Sequence, residues 1–589
     1  MSILSQLSPG IQVNEVDLTT IVPGASNSIG AYVGQFTWGP CNKPTLVTNE
    51  ASLVEIFGKP SGKTSDYFIG TSFFSCANFL SYTNGMYVVR TVDANSALNA
   101  TSSANTILVN NKDEFEATYL ENNNANTYGP FIARCPGSLG NGLKVSVCAN
   151  SSSFSTWEYR ALFEGAPGTS TWIEEKRGNS TANDELHIVV VDSTGAFTGR
   201  AGTVLERFPF LSKATDAIDI DGMPSYYKLR LFNSSEYVFA VDPIQYSLSS
   251  ATWGTNSIDT TTYYSPANNM TIFVNGGASG NTPGDAAITT GWDAFRNKDL
   301  YEISLAFVGA CDVTVAQYVL DNIILGVESE TPVIGRKDAM LFVSPRSADV
   351  VNQSNMEIDN IVNNVDSFVN VLNRYSSYLV VDSGWKYQFD KYNGIYRWIP
   401  LNADIAGLCA YTDTVADPWF SPGGYTRGKL KNVVKLAWSP DQSERDVLYK
   451  NGVNPVITQI GEGTLLLGDK TMQKKPSAFD RINVRRLFIN LEKVISRAAK
   501  YSLFELNDSF TRSQFVAMVE PYLRTVQGRR GITDFKVVCD ETNNTPDIID
   551  RNGFVGDIYI KPARSINFIQ LNFVAVKTGV EFSTVVGQF

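Results

Sequence analysis

The stretch "IGAYVGQF", residues 29–36, has the composition of a strand and opens a mixed α/β segment. It is followed by "TNEASLVEIFG", typical of a capped helix that ends at Gly58, and by "DYFIGTSFFSCANFLSY", which predicts an amphipathic helix. "GMYVVRTVD" then predicts a buried strand. This order of strand, helices and strand indicates a βαβ-type unit.

The same mixture of helix and strand patterns occurs again far downstream, after a long region of different composition. "VAQYVLDNIILGV" and "NMEIDNIVNNVDSFVNVLNRYSS" predict helices, whereas "DAMLFVSPR" and "YLVVDSG" predict buried strands. Between residues 101 and 330, short strand-like runs such as "LKVSVCA" and "ELHIVVVDS" alternate with loops rich in Asn, Ser, Gly and Thr. We therefore predict an α+β multidomain fold, with a discontinuous α/β core domain (24–100 and 331–440) and an inserted β-rich outer domain (101–330).

Length and composition indicate how many domains the chain forms and whether it enters a membrane. The chain has 589 residues, 43% hydrophobic and 18% charged, enough for several domains. No apolar run is long enough to span a bilayer, and "MSILSQLSPG" lacks the basic and apolar regions of a signal peptide. Seven scattered cysteines without a C-x-x-C pair indicate reduced thiols. We expect a soluble protein without membrane insertion or a standard export signal.

Charge is distributed unevenly along the chain. The formal net charge is −11, and residues 101–330 carry 13 Lys and Arg against 26 Asp and Glu. The ends of the chain are therefore close to neutral. This asymmetry predicts different surroundings for the acidic middle and for the ends.

Two motifs suggest catalysis only superficially. "FGKPSGKTS" (57–65) resembles a phosphate loop, but three residues instead of four separate Gly58 from Gly62, and a helix-type segment precedes it. His187, the single histidine, lies in a strand pattern, so a strand histidine is favoured over a catalytic triad. One histidine also excludes the usual histidine zinc sites. We expect no enzymatic activity, no cofactor and no metal.

The segment "WKYQFDKYNGIYRWIPL" (385–401) is dense in aromatic and cationic side chains. Stacking on sugar or single-stranded nucleic acid is one interpretation. A hairpin turning at Asn393–Gly394 is favoured. In that register Asp390 faces Arg397 and Phe389 faces Trp398, so a charge pair and an aromatic pair stabilise the hairpin.

A basic helical region follows near residue 481. In "DRINVRRLFINLEKVISRAAKYSLFELN", apolar residues recur at intervals of three and four, which indicates one buried helix face. Eleven Lys and Arg stand against five Asp and Glu between residues 481 and 536. A solvated helix face and a positive surface for an acidic partner both fit this pattern. No base-reading motif accompanies the charges, so we expect no direct nucleic-acid contact.

Both chain ends carry strand patterns without a local partner. "SPGIQVNEVDLTTIVPG" (8–24) alternates apolar and polar residues, and "VEFSTVVGQF" (580–589) is one more strand-like tail. "GDIYIKPARSINFIQLNFVAV" predicts two strands joined through residues 562–564. Strand donation to a neighbouring copy satisfies such backbone groups. The predicted donor residues are Ile11, Gln12, Val13, Asn14, Glu15, Val16, Glu581, Phe582, Thr584 and Val585, and the predicted acceptor hairpin contains Ile558, Tyr559, Ile560, Phe568, Ile569, Leu571 and Phe573.

Long runs of this sequence resemble the tail sheath proteins of contractile-tailed bacteriophages, particularly the T-even-like ones. They include "FTWGP", "VTNEASLVEIFGKP", "KYQFDKYNGIYRWIPLNADIAGLCAYTD", "SPGGYTRG", "SAFDRINVRRLF", "KYSLFELNDSFTR" and "IKPARSINFIQLNFVA". The resemblance covers roughly residues 8–93 and 341–575. Residues 101–330 match weakly, around "ARCPGSLGNGLKVSV", and "GEGTLLLGDKTM" departs from the form of distant sheaths.

The resemblance implies a mechanical protein of the virion tail. Subunits stack as six-fold rings around a tail tube and contract to drive the tube through the host envelope. The innermost domain (441–589) contacts the tube and is joined by the N-terminal arm (1–23), and terminal strands are exchanged between subunits. An acidic tube exterior suits Arg485, Arg486, Arg497 and Lys500. Implied partners are further copies, the tube protein, and the baseplate and tail terminator proteins, with assembly in the host cytoplasm.

Two alternatives remain open on the sequence. The first is the sheath of a phage-derived bacterial injection device, which has the same architecture. A β-rich receptor-binding tail component is the alternative from a different class. Such an adhesin forms trimers or monomers, whereas a sheath subunit forms long tubes.

Overall fold

The computed structural model describes residues 28–63, 66–120, 127–242, 244, 252–258, 260–327, 335–351 and 358–567. These residues divide into a larger compact unit that ends at Arg497 and a smaller one that starts at Ala498. The protein is a mixed α/β multidomain chain. Within the described ranges, no helix is both long and apolar enough to cross a membrane.

A seven-stranded sheet forms the centre of the larger unit. Its strands, in spatial order, are Val453–Asn454, Leu379–Asp382, Met340–Val343, Leu305–Phe307, Gly30–Gly34, Met86–Arg90 and Thr45–Val47. All neighbours pair in parallel except the edge strand Thr45–Val47, which is antiparallel. Among the described residues, Gly30–Gly34 is the first strand of this sheet along the chain, and later strands lie on both sides of it, which is a doubly wound arrangement. The predicted βαβ-type unit is confirmed by the parallel pairing of Gly30–Gly34 with Met86–Arg90.

Helices cover both faces of this sheet, so its strands are apolar on both sides. Ala31 and Val33 pack into one core and Tyr32 into the other. The helices Asp285–Asp293, Val313–Tyr318, Ile358–Leu372 and Gln442–Lys450 contribute to the first core, and Glu50–Phe57, Tyr67–Leu80, Asn402–Val415 and Ile482–Ala499 to the second. A π-helical segment, Val319–Leu325, extends one of them.

Two predicted helices in the N-terminal part are present, with one difference. Asn49 caps Glu50–Phe57 by accepting from the Ser52 N–H at 2.8 Å, and the helix ends at Gly58, as expected. Tyr67–Leu80 is not amphipathic, because all residues from Ile69 to Leu80 are buried. The sheet lies on one side of this helix, and the helix Asn402–Val415 and the strand Ile395–Pro400 also pack on it. Burial on several sides removes the need for a polar face.

A four-stranded antiparallel sheet lies within the region predicted to be β-rich. Its order is Met270–Phe273, Leu143–Cys148, Glu185–Asp192 and Thr203–Ser212. Two strand pairs accompany it: Phe131–Ala133 with Val238–Ala240, and Ala97–Leu98 with Ala278–Ser279. The α-helices of this region are Lys112–Phe115, Ser151–Phe154, Thr171–Arg177 and Tyr227–Ser234. It also contains the π-helical segment Glu116–Leu120 and the 3₁₀ helices Ser138–Gly142 and Arg160–Leu162.

The β-rich segment ends earlier than the predicted boundary at residue 330. Leu305–Phe307 is a central strand of the seven-stranded sheet, and Asp285–Asp293 packs against Gly30–Gly34. Residues from about 285 onward therefore belong to the α/β layers. A strand of only three residues, paired on both sides, has too little sequence for periodicity to reveal.

The hairpin at residues 385–400 is present, but its register differs from the prediction. Asp390 pairs with Ile395 and Tyr387 with Trp398, in place of Asp390 with Arg397 and Phe389 with Trp398. Asp390 Oδ1 accepts the N–H groups of Tyr392 and Asn393 at 2.9 and 3.1 Å, which closes a four-residue loop. Lys435–Leu436 adds a third strand, and a separate hairpin joins Val456–Gln459 to Gly463–Leu466.

Residues 441–497, which the sequence grouped with the C-terminal domain, lie in the larger unit. The reason is pairing and packing: Val453–Asn454 extends the central sheet, and Ile482 and Ile489 are buried in one of its cores. The smaller unit contains the helices Ser509–Gly528 and Pro546–Asp550 and the strands Ile532–Val538 and Asp557–Pro562. Short helical segments occur at Ser347–Val350, Ala478–Asp480 and Lys500–Ser502.

Candidate functional site

The smaller unit presents a two-stranded antiparallel sheet. Ile532–Val538 pairs with Asp557–Pro562, with a register irregularity between Ile532 and Asp534. The predicted acceptor residues Ile558, Tyr559 and Ile560 lie in the second strand, opposite residues 535–537. Among the described residues, this sheet has no third strand. Unpaired sheet edges offer backbone N–H and C=O groups to an additional strand.

One helix supports this sheet. Ser509–Gly528 begins at Asp508, whose carboxylate accepts the Thr511 N–H at 2.8 Å. The helix buries Phe515, Val519 and Leu523, and it packs along the strand Ile532–Val538. A helix on one face stabilises a strand pair that is marginal alone.

The sequence predicted a different partner for the acceptor strand. Ile558–Ile560 pairs with residues 535–537 and therefore has one edge already occupied. The second strand of the predicted hairpin, with Phe568, Ile569, Leu571 and Phe573, lies outside the described residues, as do the donor segments with Ile11, Gln12, Val13, Asn14, Glu15, Val16, Glu581, Phe582, Thr584 and Val585.

Arg486, predicted to face a tube, is instead a buried structural cation. Its guanidinium donates to both Asp413 oxygens, at 2.7 and 2.5 Å, and to the Cys409 carbonyl at 3.0 Å. Burial acts to lower the pKa of Arg486, but the Asp413 carboxylate outweighs it and the pKa is raised. The prediction of an exposed Arg486 is wrong because the helix turns this side chain towards Asn402–Val415.

Arg485 is also buried, with only 8% of its surface exposed. Its guanidinium donates to the Ser377 hydroxyl at 2.6 Å and lies 4.0 Å from the centroid of the Phe479 ring. Burial lowers the pKa of Arg485 from its usual value. The exposed face predicted from the charge pattern therefore does not include Arg485 either.

The other two predicted cations lie nearer to solvent. Arg497 is about one-third exposed and forms an ion pair with Glu302. Lys500 is exposed in the turn Lys500–Ser502. The four predicted tube-facing residues thus separate into two buried side chains and two at the surface.

The motifs that suggested catalysis have structural surroundings. His187 is buried: Nδ1 accepts the Phe210 N–H at 3.0 Å, Nε2 lies 2.9 Å from the Gly165 carbonyl, and burial lowers its pKa. In the glycine-rich loop, the Pro60 carbonyl accepts from Asn393 Nδ2 at 3.0 Å. This hydrogen bond attaches the glycine-rich loop to the turn of the hairpin at residues 385–400.

The carboxyl ends of the parallel strands, where doubly wound proteins place ligands, are filled with buried polar side chains. Ser344 donates to Asp382 at 2.7 Å and accepts the Asn402 N–H at 2.9 Å. Lys386 forms a fully buried ion pair with Asp404 at 2.9 Å. Burial raises the pKa of Asp382 to about 8.

Comparison with known proteins places the chain in a family. Residues 328–472 match the model of the phage tail sheath protein central domain, and residues 474–575 match that of the phage tail sheath C-terminal domain. The tail sheath protein of Vibrio phage KVP40 is 34% identical, over 99% of this chain and 100% of the relative. This chain belongs to the phage tail sheath proteins. The sheath protein of Enterobacteria phage T4 is 32% identical, with the same coverage of both chains.

A solved sheath structure has the same fold. The sheath tail protein of Listeria innocua covers 92% of this chain and 94% of its own, with a TM-score of 0.51 at 12% identity. The predicted resemblance to contractile phage tail sheaths is confirmed by the sequence relatives. The chain is thus a structural component of the virion tail, in a family of structural proteins.

Sequence reasoning missed the partners of the buried cations. Asp413 and Ser377 hold Arg486 and Arg485 from elements 73 and 108 residues away. No local signal marked these two cations: Val484 and Leu487 belong to the buried apolar face, whereas residues 485 and 486 lie about 100° and 200° around the helix from Val484. Their burial depends on the elements that pack against the other sides of this helix.

Proposed function

We propose that this protein polymerises as stacked six-fold rings around a tail tube and contracts to drive the tube through the host envelope. The two-stranded sheet Ile532–Val538 with Asp557–Pro562 carries the proposal, because within the described ranges it has no third strand and its edges suit strands from neighbouring copies. The donors are the segments around Ile11–Val16 and 581–585. The baseplate, tail terminator and tube proteins are the other partners, and assembly takes place in the host cytoplasm.

Exchange of strands keeps the polymer connected while rings move. A backbone hydrogen bond contributes about 1 kcal/mol net, so one exchanged strand contributes only a few kcal/mol. Several such links per subunit, repeated through the polymer, hold it firmly. Contraction then needs an extended state of higher free energy, held by polar contacts to the tube, and a contracted state with more burial between subunits.

Arg497 and Lys500 are the tube-facing cations in this proposal, whereas Arg485 and Arg486 are withdrawn from it. The supporting observation is exposure: the first two side chains reach the surface and the other two are buried. Rim charges of this kind steer association and fix register more than they add affinity.

Deletion of residues 1–23 tests the exchange of strands. We expect a folded monomer with wild-type circular dichroism that forms no tubes in negative-stain microscopy, because the donor strand is lost. The full chain with Val13→Pro tests the same segment at its native length, since proline removes one backbone donor and fixes φ. Tubes from the truncated protein at the wild-type concentration would contradict the proposal.

A further inference from the structure

The chain contains six Asn–Gly pairs, and such pairs are the sites at which proteins most readily lose side-chain ammonia. The glycine backbone nitrogen attacks the side-chain carbonyl carbon of the asparagine, because glycine has no Cβ to obstruct the approach. The dipeptide alone ranks all six equally, so the structure decides which of them reacts. The asparagines are Asn84, Asn141, Asn275, Asn393, Asn451 and Asn552.

Asn84 and Gly85 lie in the loop between the helix Tyr67–Leu80 and the strand Met86–Arg90. Asn84 is exposed, and within the described part of the chain no group hydrogen-bonds to its side chain or to its backbone. The Gly85 N–H likewise has no acceptor among the described residues. A Cβ at Gly85 would meet nothing within 4 Å, so the space around the attacking nitrogen is open.

Three other pairs hold the glycine nitrogen in a hydrogen bond. An N–H that donates to a carbonyl fixes the orientation of its peptide plane, and ring closure requires that plane to rotate towards the asparagine side chain. Breaking such a bond costs free energy before the attack can begin. The donors and acceptors are Gly394 and the Asp390 carbonyl at 2.9 Å, Gly452 and the Tyr449 carbonyl at 3.3 Å, and Gly553 and the Ile548 carbonyl at 2.8 Å.

The remaining two pairs are held at the asparagine. Asn141 Nδ2 donates to the Gly277 carbonyl at 2.9 Å and its Oδ1 accepts the Gly277 N–H at 2.7 Å, which keeps the side chain turned away from Gly142. The backbone N–H and C=O of Asn275 both pair with Thr101, each at 2.8 Å. This pairing fixes the ψ angle that ring closure must change.

We propose that Asn84 is a site of spontaneous deamidation in the folded chain, whereas hydrogen bonds protect the other Asn–Gly pairs. The Gly85 nitrogen forms a bond to Asn84 Cγ, and the side-chain nitrogen leaves as ammonia with the proton of the Gly85 N–H, so that a succinimide ring remains. Water then opens the ring at either carbonyl and produces aspartate or isoaspartate. The reaction consumes only water and requires neither a partner nor a polymer.

Either product changes the chain next to the central sheet. The Gly85 carbonyl accepts the Gly30 N–H at 3.1 Å, at the start of the parallel pairing between Gly30–Gly34 and Met86–Arg90. Aspartate and isoaspartate both add a negative charge, and isoaspartate also adds one methylene to the main chain at this point. We therefore expect aged protein to accumulate chains in which this pairing is weakened.

Peptide mapping of the full-length chain tests the proposal. Folded protein is incubated at mildly alkaline pH, and mass spectrometry follows the conversion of each Asn–Gly peptide to its aspartate and isoaspartate forms. We expect Asn84 to convert about tenfold faster or more than Asn393 and Asn552, because no hydrogen bond has to break first. In urea, all the Asn–Gly pairs should convert at similar rates. A rate at Asn84 in the folded protein no higher than at the other pairs would overturn the proposal.

Gly85→Ala tests the ring-closure step. Gly85 does not have a positive φ and has open space for a Cβ, so folding should be retained. The added Cβ obstructs the attack, and we expect the conversion of Asn84 to slow about tenfold or more. Gly284→Ala, at a glycine with equally open surroundings, is the control and should leave the rate unchanged. Conversion of Asn84 at the wild-type rate in Gly85→Ala would indicate direct hydrolysis of the amide and overturn the proposal.

Discussion

At the scale of single residues, the cations of the helix Ile482–Ala499 show how far position in the fold decides a side chain's role. Arg485 and Arg486 sit in a basic run, yet both are buried and bonded within the larger unit. An isolated buried charge is very costly, so a buried arginine needs a carboxylate or several acceptors. Asp413 and the Cys409 carbonyl meet this need for Arg486.

Replacement of Arg486 by alanine should destabilise the monomer. It would leave the largely buried Asp413 without its cation, so we expect a loss of about 3–5 kcal/mol in the free energy of unfolding. Urea unfolding of the monomer measures it. The Arg486→Met, Asp413→Leu double variant should recover much of the loss. If Arg486→Ala instead had wild-type stability and bound the tube poorly, Arg486 would have the tube-facing role that the sequence predicted.

Asp382 should make stability fall as pH rises. Burial raises its pKa to about 8, so the folded state binds a proton that the unfolded state releases above about pH 4. Its contribution is complete below the unfolded pKa and is lost as the pH rises towards 8. Asp382→Asn keeps the contacts with Ser344 and Gly384 but cannot titrate.

The measurement is the free energy of unfolding of Asp382→Asn minus that of the wild type, at several pH values. We expect this difference to increase from pH 5 to pH 8. Asp446→Asn, at an exposed position of the helix Gln442–Lys450, is the control and should give a flat difference. A flat difference for Asp382→Asn would mean that the carboxyl group is already ionised in the folded state.

At the scale of elements, the hairpin at residues 385–400 owes its register to one carboxylate. Asp390 is fully buried, and its two oxygens accept from the loop N–H groups, from Asn393 Nδ2 and from Arg397 Nε at 2.8 Å. The Asp390–Arg397 ion pair was predicted correctly although the register was not. The pair forms diagonally, because the Asp390-closed loop has four residues instead of two.

Asp390→Ala should therefore destabilise the hairpin by about 3–5 kcal/mol, since Arg397 is buried and loses its carboxylate. Asp390→Asn should cost less, because its remaining oxygen still accepts the N–H groups of Tyr392 and Asn393. Urea unfolding ranks the two variants. Equal losses would show that the loop hydrogen bonds contribute little and that the ion pair alone stabilises this turn.

At the scale of the whole molecule, Arg90 joins the two main sheets of the larger unit. It ends a strand of the seven-stranded sheet and is fully buried. Its guanidinium donates to the carbonyls of Phe36, Gly39 and Pro136 at 3.0, 2.7 and 2.7 Å. Pro136 leads into the four-stranded sheet, so one side chain connects both.

Arg90→Ala should loosen the four-stranded sheet from the rest of the unit. Three buried carbonyls lose their donor, for which we expect a loss of about 3 kcal/mol or more. Hydrogen exchange should rise most in residues 131–148 and 270–280. Arg200→Ala, at an exposed position, is the control. Uniform change in exchange over the whole unit would contradict a specific role at this junction.

The sequence alone determined the local elements and the family. Strands such as Gly30–Gly34 and Met86–Arg90, and the capped helix Glu50–Phe57, were predictable because apolar periodicity and capping are set by residues adjacent in the chain. The resemblance to tail sheaths rested on long matching runs. These features need no knowledge of distant contacts.

Only the tertiary structure decided three features: which basic residues are buried, the register of the hairpin, and the position of Leu305–Phe307 in the central sheet. Arg486 and its partner Asp413 are 73 residues apart, and no local sequence pattern predicts their contact. Leu305–Phe307 becomes a strand because strands from both sides of the β-rich segment pair with it. Burial and pairing depend on residues brought together by folding, whereas periodicity depends on neighbours in sequence.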